Sequence, residues 1–345
     1  MKLVSFGEIM LRLTPPGSAR ILQTSTFNAT FGGAEANVAA AYALLGGNSA
    51  YVTALPDNAL GHAARNCLRA VGVDCSYIRF EGPRLGTYYL ECGAANRPSQ
   101  VIYDRAGSSV ATVPAAGYRW EEAIAGADWF FFTGITPALG ETVREALRDA
   151  LAVCRRLGIR VACDLNYRAK LWSYEKAAEV MTDLVKGLDL LIVNEEHAEK
   201  VLGIPSCVAP EYLGKGYETE LIGRRENAAR MADELRARFG IGAVAMTLRT
   251  TLTSDDTVTG ALYADGSTVS NSPDYVSHAV DRVGSGDAYS AGLLFALSRG
   301  DSADAANRFG AATCALAHTV PGDITYISAA EVENLVRHGG SRIQR

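Results

Sequence analysis

The chain has 345 residues, enough for a large core, and beyond ~250–300 residues one core tends to divide. A composition of 48% hydrophobic and 21% charged residues excludes a disordered, collagenous or fibrous chain. The formal charge of −5 carries no basic block and no apolar run reaches the ~18–20 residues of a membrane span, so neither nucleic acid nor membrane is an expected partner.

The opening Met1-Lys2 runs into a strand-like LVSFGEIML with no secretory signal pattern. Seven scattered cysteines (Cys67, Cys75, Cys92, Cys154, Cys163, Cys207, Cys314) form no C-x-x-C pair, so reduced, buried thiols and a cytoplasmic location are expected. In chain order, apolar β-rich runs alternate with Ala- and Leu-rich stretches of helical period. LVSFGEI precedes NVAAAYALLGG, YVTAL precedes LGHAARNCLRAVGV, and WFFFTGI precedes ETVREALRDALAVCRRLG. After RVACDLN come DLLIVNEE with HAEKVLGI, and NAARMADELRARFG before AVAMTL. Continuous apolar strands between amphipathic helices predict an α/β fold, its mostly parallel sheet covered on both faces. Gly46-Gly47, Gly158 and Gly240 stand where helices should stop.

One stretch breaks the rhythm. GTYYLECG and QVIYDRAG flank the turn-like residues 94–99 and predict a β-hairpin. Together with the Pro-Pro-Gly segment near residue 15, residues 11–31 and 84–112 read as a small β-sheet lid, two long surface loops being the alternative. Residues 1–10, 32–83 and 113–345 then read as the α/β domain. Pro205 to Asn227 reads as an irregular insert without a motif. An isolated hairpin is marginal and leaves an open edge, so a homodimer or dimer-based oligomer covering the lid is expected.

No G-x-x-x-x-G-K-[ST], G-x-G-x-x-G, H-E-x-x-H or G-x-S-x-G occurs. What occurs is Asp281-Arg282-Val283-Gly284-Ser285-Gly286-Asp287, opening directly into a helical pattern. Its glycines allow a tight turn at a helix N-terminus, where an anion is favoured. Asp287 stands beside that turn, either as a proton acceptor for phosphoryl transfer or only as a partner to the helix dipole. In Phe31-Gly32-Gly33-Ala34-Glu35-Ala36-Asn37, two glycines admit a ligand to the backbone and Asn37 offers donor and acceptor, though such a pair is often only a turn. Tyr103 and Arg105 share a strand face, and a suitable register would bring Tyr89 to it, making a cluster for hydroxyls and a carboxylate. An ordinary exposed strand face is the plain alternative. Asn166 and Arg168 follow the strand RVACDLN, where ligands of open α/β sheets bind. Asn194-Glu195-Glu196 ends another strand and could orient a metal-bound phosphate.

Taken together these segments resemble the ribokinase-like carbohydrate kinases over nearly the whole chain, from GEIMLRL to HTVPGD. GGAEAN is similar to that family's N-terminal sugar-site signature and DRVGSGDAYSAGLL to its C-terminal one. GEIMLRLTPPG, LPDNALG, YDRAGSS, DLNYRAKLW and ALAHTVPGD resemble the members that act on 2-keto-3-deoxygluconate. The resemblance implies a three-layer sandwich with a lid, and ATP-dependent, Mg²⁺-dependent phosphorylation of a small sugar acid to its 6-phosphate. It implies Asp287 as base and Gly284, Ser285 and Gly286 as the anion hole. Gly33, Asn37, Tyr89, Tyr103, Arg105 and Arg168 would contact the sugar acid, while Asn166, Asn194, Thr247 and Arg249 would face the nucleotide. Where the family has Asn-x-x-Glu the chain has His197, which leaves Glu196 as the nearby carboxylate for Mg²⁺. The family's Gly-rich nucleotide loop is replaced by Arg249-Thr250-Thr251-Leu252, and a K⁺ ion would lie near Asp281. Two rival readings stand: a kinase of a neutral ligand such as fructose or a nucleoside, and a catalytically silent sugar- or nucleotide-binding regulator. Unpartnered Arg105 and Arg168 argue against the neutral ligand, because a guanidinium without an anion is costly to desolvate.

Overall fold

The structure, a computed structural model, describes residues 1–339. β1 (Lys2–Phe6), β2 (Met10–Thr14) and β3 (Asn28–Gly32) lead into α1 (Ala34–Leu44). β4 (Asn48–Leu55), α2 (Ala59–Ala70), β5 (Ile78–Phe80), β6 (Gly86–Glu91) and β7 (Gln100–Asp104) follow. Next come β8 (Trp129–Thr133), α3 (Glu141–Leu157), β9 (Arg160–Asp164), α4 (Tyr174–Leu184), β10 (Leu190–Val193), α5 (Glu195–Leu202) and α6 (Tyr217–Phe239). β11 (Ala243–Thr251), β12 (Asp256–Ala264), β13 (Val269–Asn271) and β14 (Tyr275–His278) precede α7 (Ser285–Arg299), α8 (Ala303–Ala317) and α9 (Ala329–His338).

The large sheet has the order β13-β12-β11-β10-β9-β8-β1-β4-β5, with β14 also paired to β12. From β11 to β5 every pairing is parallel, and β12 to β14 are antiparallel. Parallel strands buried on both faces need apolar residues at every position. The run WFFFT of β8 meets that need, because all five of its residues are buried. Phe130 and Phe132 join the core under α3 and α6, while Trp129 and Phe131 join the core under α1, α7 and α8. The result is the expected three-layer α/β sandwich. Gly158 and Gly240 end α3 and α6 in the left-handed region, at φ of 67° and 66°. Among the described residues no helix is long and apolar enough to cross a membrane.

The second sheet runs β3-β2-β6-β7 and leaves the large one where β1 passes through Gly7, Glu8 and Ile9 into β2. The expected hairpin is β6 with β7, and its register sets Tyr88 opposite Tyr103 and Tyr89 opposite Ile102. Two features depart from the sequence reading. α6 starts at Tyr217, ten residues before the end of the predicted insert, and Gly223 within it lies against the Tyr212 ring, 2.4 Å from where a Cβ would stand. Its buried positions there include Gly223 and Asn227, so no apolar period announced the helix. Cys207 is exposed rather than buried.

Candidate active site

Helices α1 and α7 begin side by side at the carboxyl ends of the parallel strands, and one hydrogen-bond chain joins their glycine turns. The Gly33 N–H donates to Asn37 Oδ1 (3.1 Å), and Asn37 Nδ2 donates to Asp287 Oδ2 (2.7 Å) across 250 residues of sequence. A side chain at Gly33 would strike the Glu8 carbonyl, 1.9 Å from an added Cβ. Gly284 has φ +85°, with the Asp323 carbonyl 2.7 Å from its Cβ position, so only glycine fits that turn. Gly286 faces open space with no atom within 4 Å of an added Cβ. The N–H groups of the first turn of α7 thus border a free volume suited to an anion. Burial pushes the Asp287 carboxyl up to about 7; the Asn37 hydrogen bond opposes this, Asp164 adds to it and Arg168 opposes it.

A cleft of about 790 Å³ opens above these turns, between the large sheet and the lid strands β6 and β7. Of the sixteen residues expected at the site, fourteen line it; Tyr89 and Asp281 do not. Tyr103 reaches it from β7, and Arg105, two positions on, from just past that strand's end. The register turns Tyr89 to the opposite face, where it packs on Phe27 with ring centroids 6.0 Å apart. Tyr88, buried with its ring tilted 35° to that of Tyr103, takes the position expected for Tyr89. A one-residue shift in strand register exchanges faces, and nothing in GTYYLECG distinguishes the two tyrosines.

The two arginines also differ. Arg105 Nε donates to Glu8 Oε2 at 2.8 Å, and its Nη2 reaches the same oxygen. Arg105 therefore already has an anionic partner, and it no longer argues against a neutral ligand. Arg168 has no carboxylate within ion-pair distance among the described residues and is exposed at the cleft, so that argument rests on it alone.

On the far side, Asn166 follows β9 in the left-handed region at φ +32°, its N–H donating to Asp164 Oδ1 (3.0 Å). Burial pushes the Asp164 carboxyl up to about 7, with Arg168 opposing. Asn194 caps α5 by accepting from the His197 N–H (2.8 Å), and its Nδ2 meets His197 Nδ1 at 3.2 Å. Burial lowers His197 to about 4, so it is neutral near pH 7. Glu195 is held by Arg224 and Asn227. Glu196 lines the cleft from the first turn of α5, but its carboxylate is paired with Lys200, four residues on, at 2.8 Å, which competes with a Mg²⁺ ion for it. Asp164 lines the same cleft with its carboxylate beside Asn166. Thr247 and Arg249 line the cleft from β11, and Arg282 joins them from the α7 turn.

Asp281 lies behind the turn, and a K⁺ ion does not fit there. Its Oδ2 accepts from Arg12 Nη2 and from the Gly322 N–H (3.1 Å), and its Oδ1 accepts from the Val283 N–H (3.0 Å). Among the described residues its three hydrogen-bond partners, one of them the Arg12 guanidinium, fill the carboxylate with donors and a positive charge that a cation would have to displace.

Tyr88, Glu8, Glu35, Asp164, Asp323 and Arg282 line the cleft without having been singled out from the sequence. Glu35 had a signal, since it sits inside GGAEAN; buried, it accepts from the Thr133 N–H (3.0 Å) and from the hydroxyls of Thr133 and Thr136 (2.6 Å each). An added Cβ on Gly7 would stand 2.2 Å from Glu35 Oε2, which explains the glycine at the end of β1.

Two glycine turns tied through Asn37 and Asp287, on a parallel sheet with a four-stranded lid, define a sugar-kinase architecture. The profile of the pfkB family carbohydrate kinases matches residues 1–330, and the chain belongs to that family. It is 36% identical to the 2-dehydro-3-deoxygalactonokinase of Haloferax volcanii over 345 residues, covering 100% of this chain and 99% of the relative. The crystal structure of 2-dehydro-3-deoxygluconokinase from Thermotoga maritima superposes with a TM-score of 0.91 at 42% identity, over 97% of this chain and 99% of that one. The 2-dehydro-3-deoxygluconokinase of Bacillus subtilis is 28% identical over 326 residues, 93% of this chain and 90% of its own.

Proposed function

We propose that the protein transfers the γ-phosphoryl group of ATP to the primary hydroxyl of a keto-deoxy sugar acid such as 2-keto-3-deoxygluconate, giving the 6-phosphate. The observation that carries this reading is Asp287 at the mouth of the α7 turn, tied to the sugar-side turn by Asn37. Three relatives of sugar-acid specificity support the substrate class. Burial raises the Asp287 carboxyl to about 7, so it is basic enough at pH 7–8 to take the hydroxyl proton as the phosphoryl group is transferred from ATP to that oxygen. The N–H groups of Gly284, Ser285 and Gly286 face the charge that builds on the transferred group. Tyr88, Tyr103 and the lid backbone close over the sugar, while Arg168 offers a forked guanidinium to its carboxylate. Asn166, Asn194, Thr247, Arg249 and Arg282 border the nucleotide. Mg²⁺ would be held by the Asp164 carboxylate, water and the phosphates of ATP, and would supply positive charge to the phosphate oxygens.

We place the lid in residues 11–31 and 84–112, and propose that the protein works as a homodimer through the outer face of that sheet. There Leu13, Tyr89 and Ile102 stand in register, with Ile102 53% exposed.

The substrate class is tested by Arg168→Ala. Losing one charge-assisted bond, worth ~1.5–3 kcal/mol, should raise KM for a keto-deoxy aldonate roughly 10–150-fold. KM for any tolerated neutral sugar should change far less. Equal damage to both would return the protein to the neutral-sugar kinases, and no ADP release with any sugar would leave the silent regulator.

A further inference from the structure

Behind the α7 turn, the buried side chains of Arg12, Tyr88, Asp281 and Asp323, from four parts of the chain, form one hydrogen-bonded cluster around a guanidinium. Arg12 extends from lid strand β2 and is 3% exposed. Its Nη1 donates to Asp323 Oδ2 (2.8 Å), its Nη2 to Asp281 Oδ2, and its Nε to Thr14 Oγ1 (2.9 Å). Tyr88, from lid strand β6, donates its O–H to the other Asp323 oxygen at 2.6 Å. Asp323 in turn is wedged between both glycine turns. Its carboxylate lies 2.3 Å from where a Cβ on Gly32 would stand, and its carbonyl 2.7 Å from the same point on Gly284. Val283, inside the turn, packs against Met10, Tyr88 and Leu90 of the lid.

Two carboxylates so placed need a cation, because a buried pair of like charges without one is strongly unfavourable. Burial alone would lower the affinity of Arg12 for its proton, yet Asp323 and Asp281 outweigh it and the guanidinium stays charged. We propose that Arg12 is a built-in cation that takes the place of a monovalent metal ion at Asp281 and latches the lid to the phosphate turn. It acts as a positioning residue: through Asp281 it holds the Val283 N–H, and through Asp323 it seats Gly284 and Gly32 against each other. The catalytic part of this inference rests on the kinase reading above, whereas the latch itself does not.

The experiment has two arms. In kinase assays with tetramethylammonium as the counter-cation, adding K⁺ should change the wild-type rate by less than about twofold, and activation beyond about tenfold would overturn the proposal. Arg12→Ala should lower kcat about 10²-fold, the scale of a misplaced anion-hole donor, with the KM for ATP nearly unchanged. Added guanidinium ion should restore part of the rate, because the vacated site keeps both carboxylates. The second arm needs no turnover. Amide hydrogen exchange in β2 and in residues 283–287 should quicken in Arg12→Ala and slow again with guanidinium. If the wild type phosphorylates no sugar acid, the kinase reading falls while the exchange arm still decides the latch. Unchanged exchange in the variant, or a loss of rate that guanidinium leaves untouched, would overturn the latch. Should Arg12→Ala fail to fold, Arg12→Lys keeps one charge without the fork. It should show an intermediate kcat and faster exchange in residues 283–287, and wild-type values for both would refute the bidentate role.

Discussion

At the scale of single residues, Asp287 carries the sharpest expectations. Asp287→Asn removes the proton acceptor and keeps the turn, so kcat should fall by ~10²–10⁴-fold while ATP binding, measured by calorimetry, survives. A variant retaining more than about a tenth of the wild-type kcat would assign the proton elsewhere. The pH profile follows from the raised carboxyl. With Asp287 at about 7, the protonated and inactive form dominates below that pH, so kcat/KM should rise as pH increases through about 7 and then level. Arg168 stabilises the charged form, so in Arg168→Ala the acidic limb should move to higher pH. A limb that stays in place would mean Arg168 lies too far from Asp287 to act on it. Asp287 was legible in the sequence because a glycine turn opening a helix is a local pattern. Its raised pKa was not, since burial and the Asp164 carboxylate come from distant parts of the chain.

At the scale of elements, the lid hairpin separates what alternation reveals from what register decides. Period-two alternation placed Tyr103 and Arg105 on one face, and both line the cleft. Pairing with β6 then selected Tyr88 and excluded Tyr89, a choice that depends on which residues hydrogen-bond across the strands. Tyr88→Phe should therefore raise the sugar-acid KM and lower thermal stability, because it deletes the hydrogen bond to Asp323 in a buried site. Tyr89→Phe should leave KM unchanged, and steady-state kinetics of the two variants reads the register directly. The segment after Gly203 was illegible for another reason. α6 begins among polar residues and is held by Arg224 to Glu195 and by Gly223 against Tyr212, contacts that no helical period encodes.

At the scale of the whole molecule, the lid sheet presents two edge strands and an apolar outer row, and an uncovered sheet of that kind invites pairing. Light scattering at micromolar concentration should report a dimer or a multiple of it, and Ile102→Asp should shift the population toward monomer. A wild-type monomer would show that the outer face is simply solvated.

The sequence by itself determined the α/β frame, the hairpin and the two glycine turns, because hydrophobic period and turn chemistry are written locally. Resemblance to a known family added others, such as Thr247 and Arg249, to the fourteen expected residues that line the cleft. Only the tertiary structure decided the pairings. It set Glu8 against Arg105, Lys200 against Glu196, Arg12 between Asp281 and Asp323, and Asn37 against Asp287. Three of those four contacts span about a hundred residues or more, and the Lys200 pair takes up a carboxylate that lines the cleft. A charge's partner is set by which strand ends and helix starts the fold brings within a few ångströms, and that proximity has no signature in the spacing along the chain.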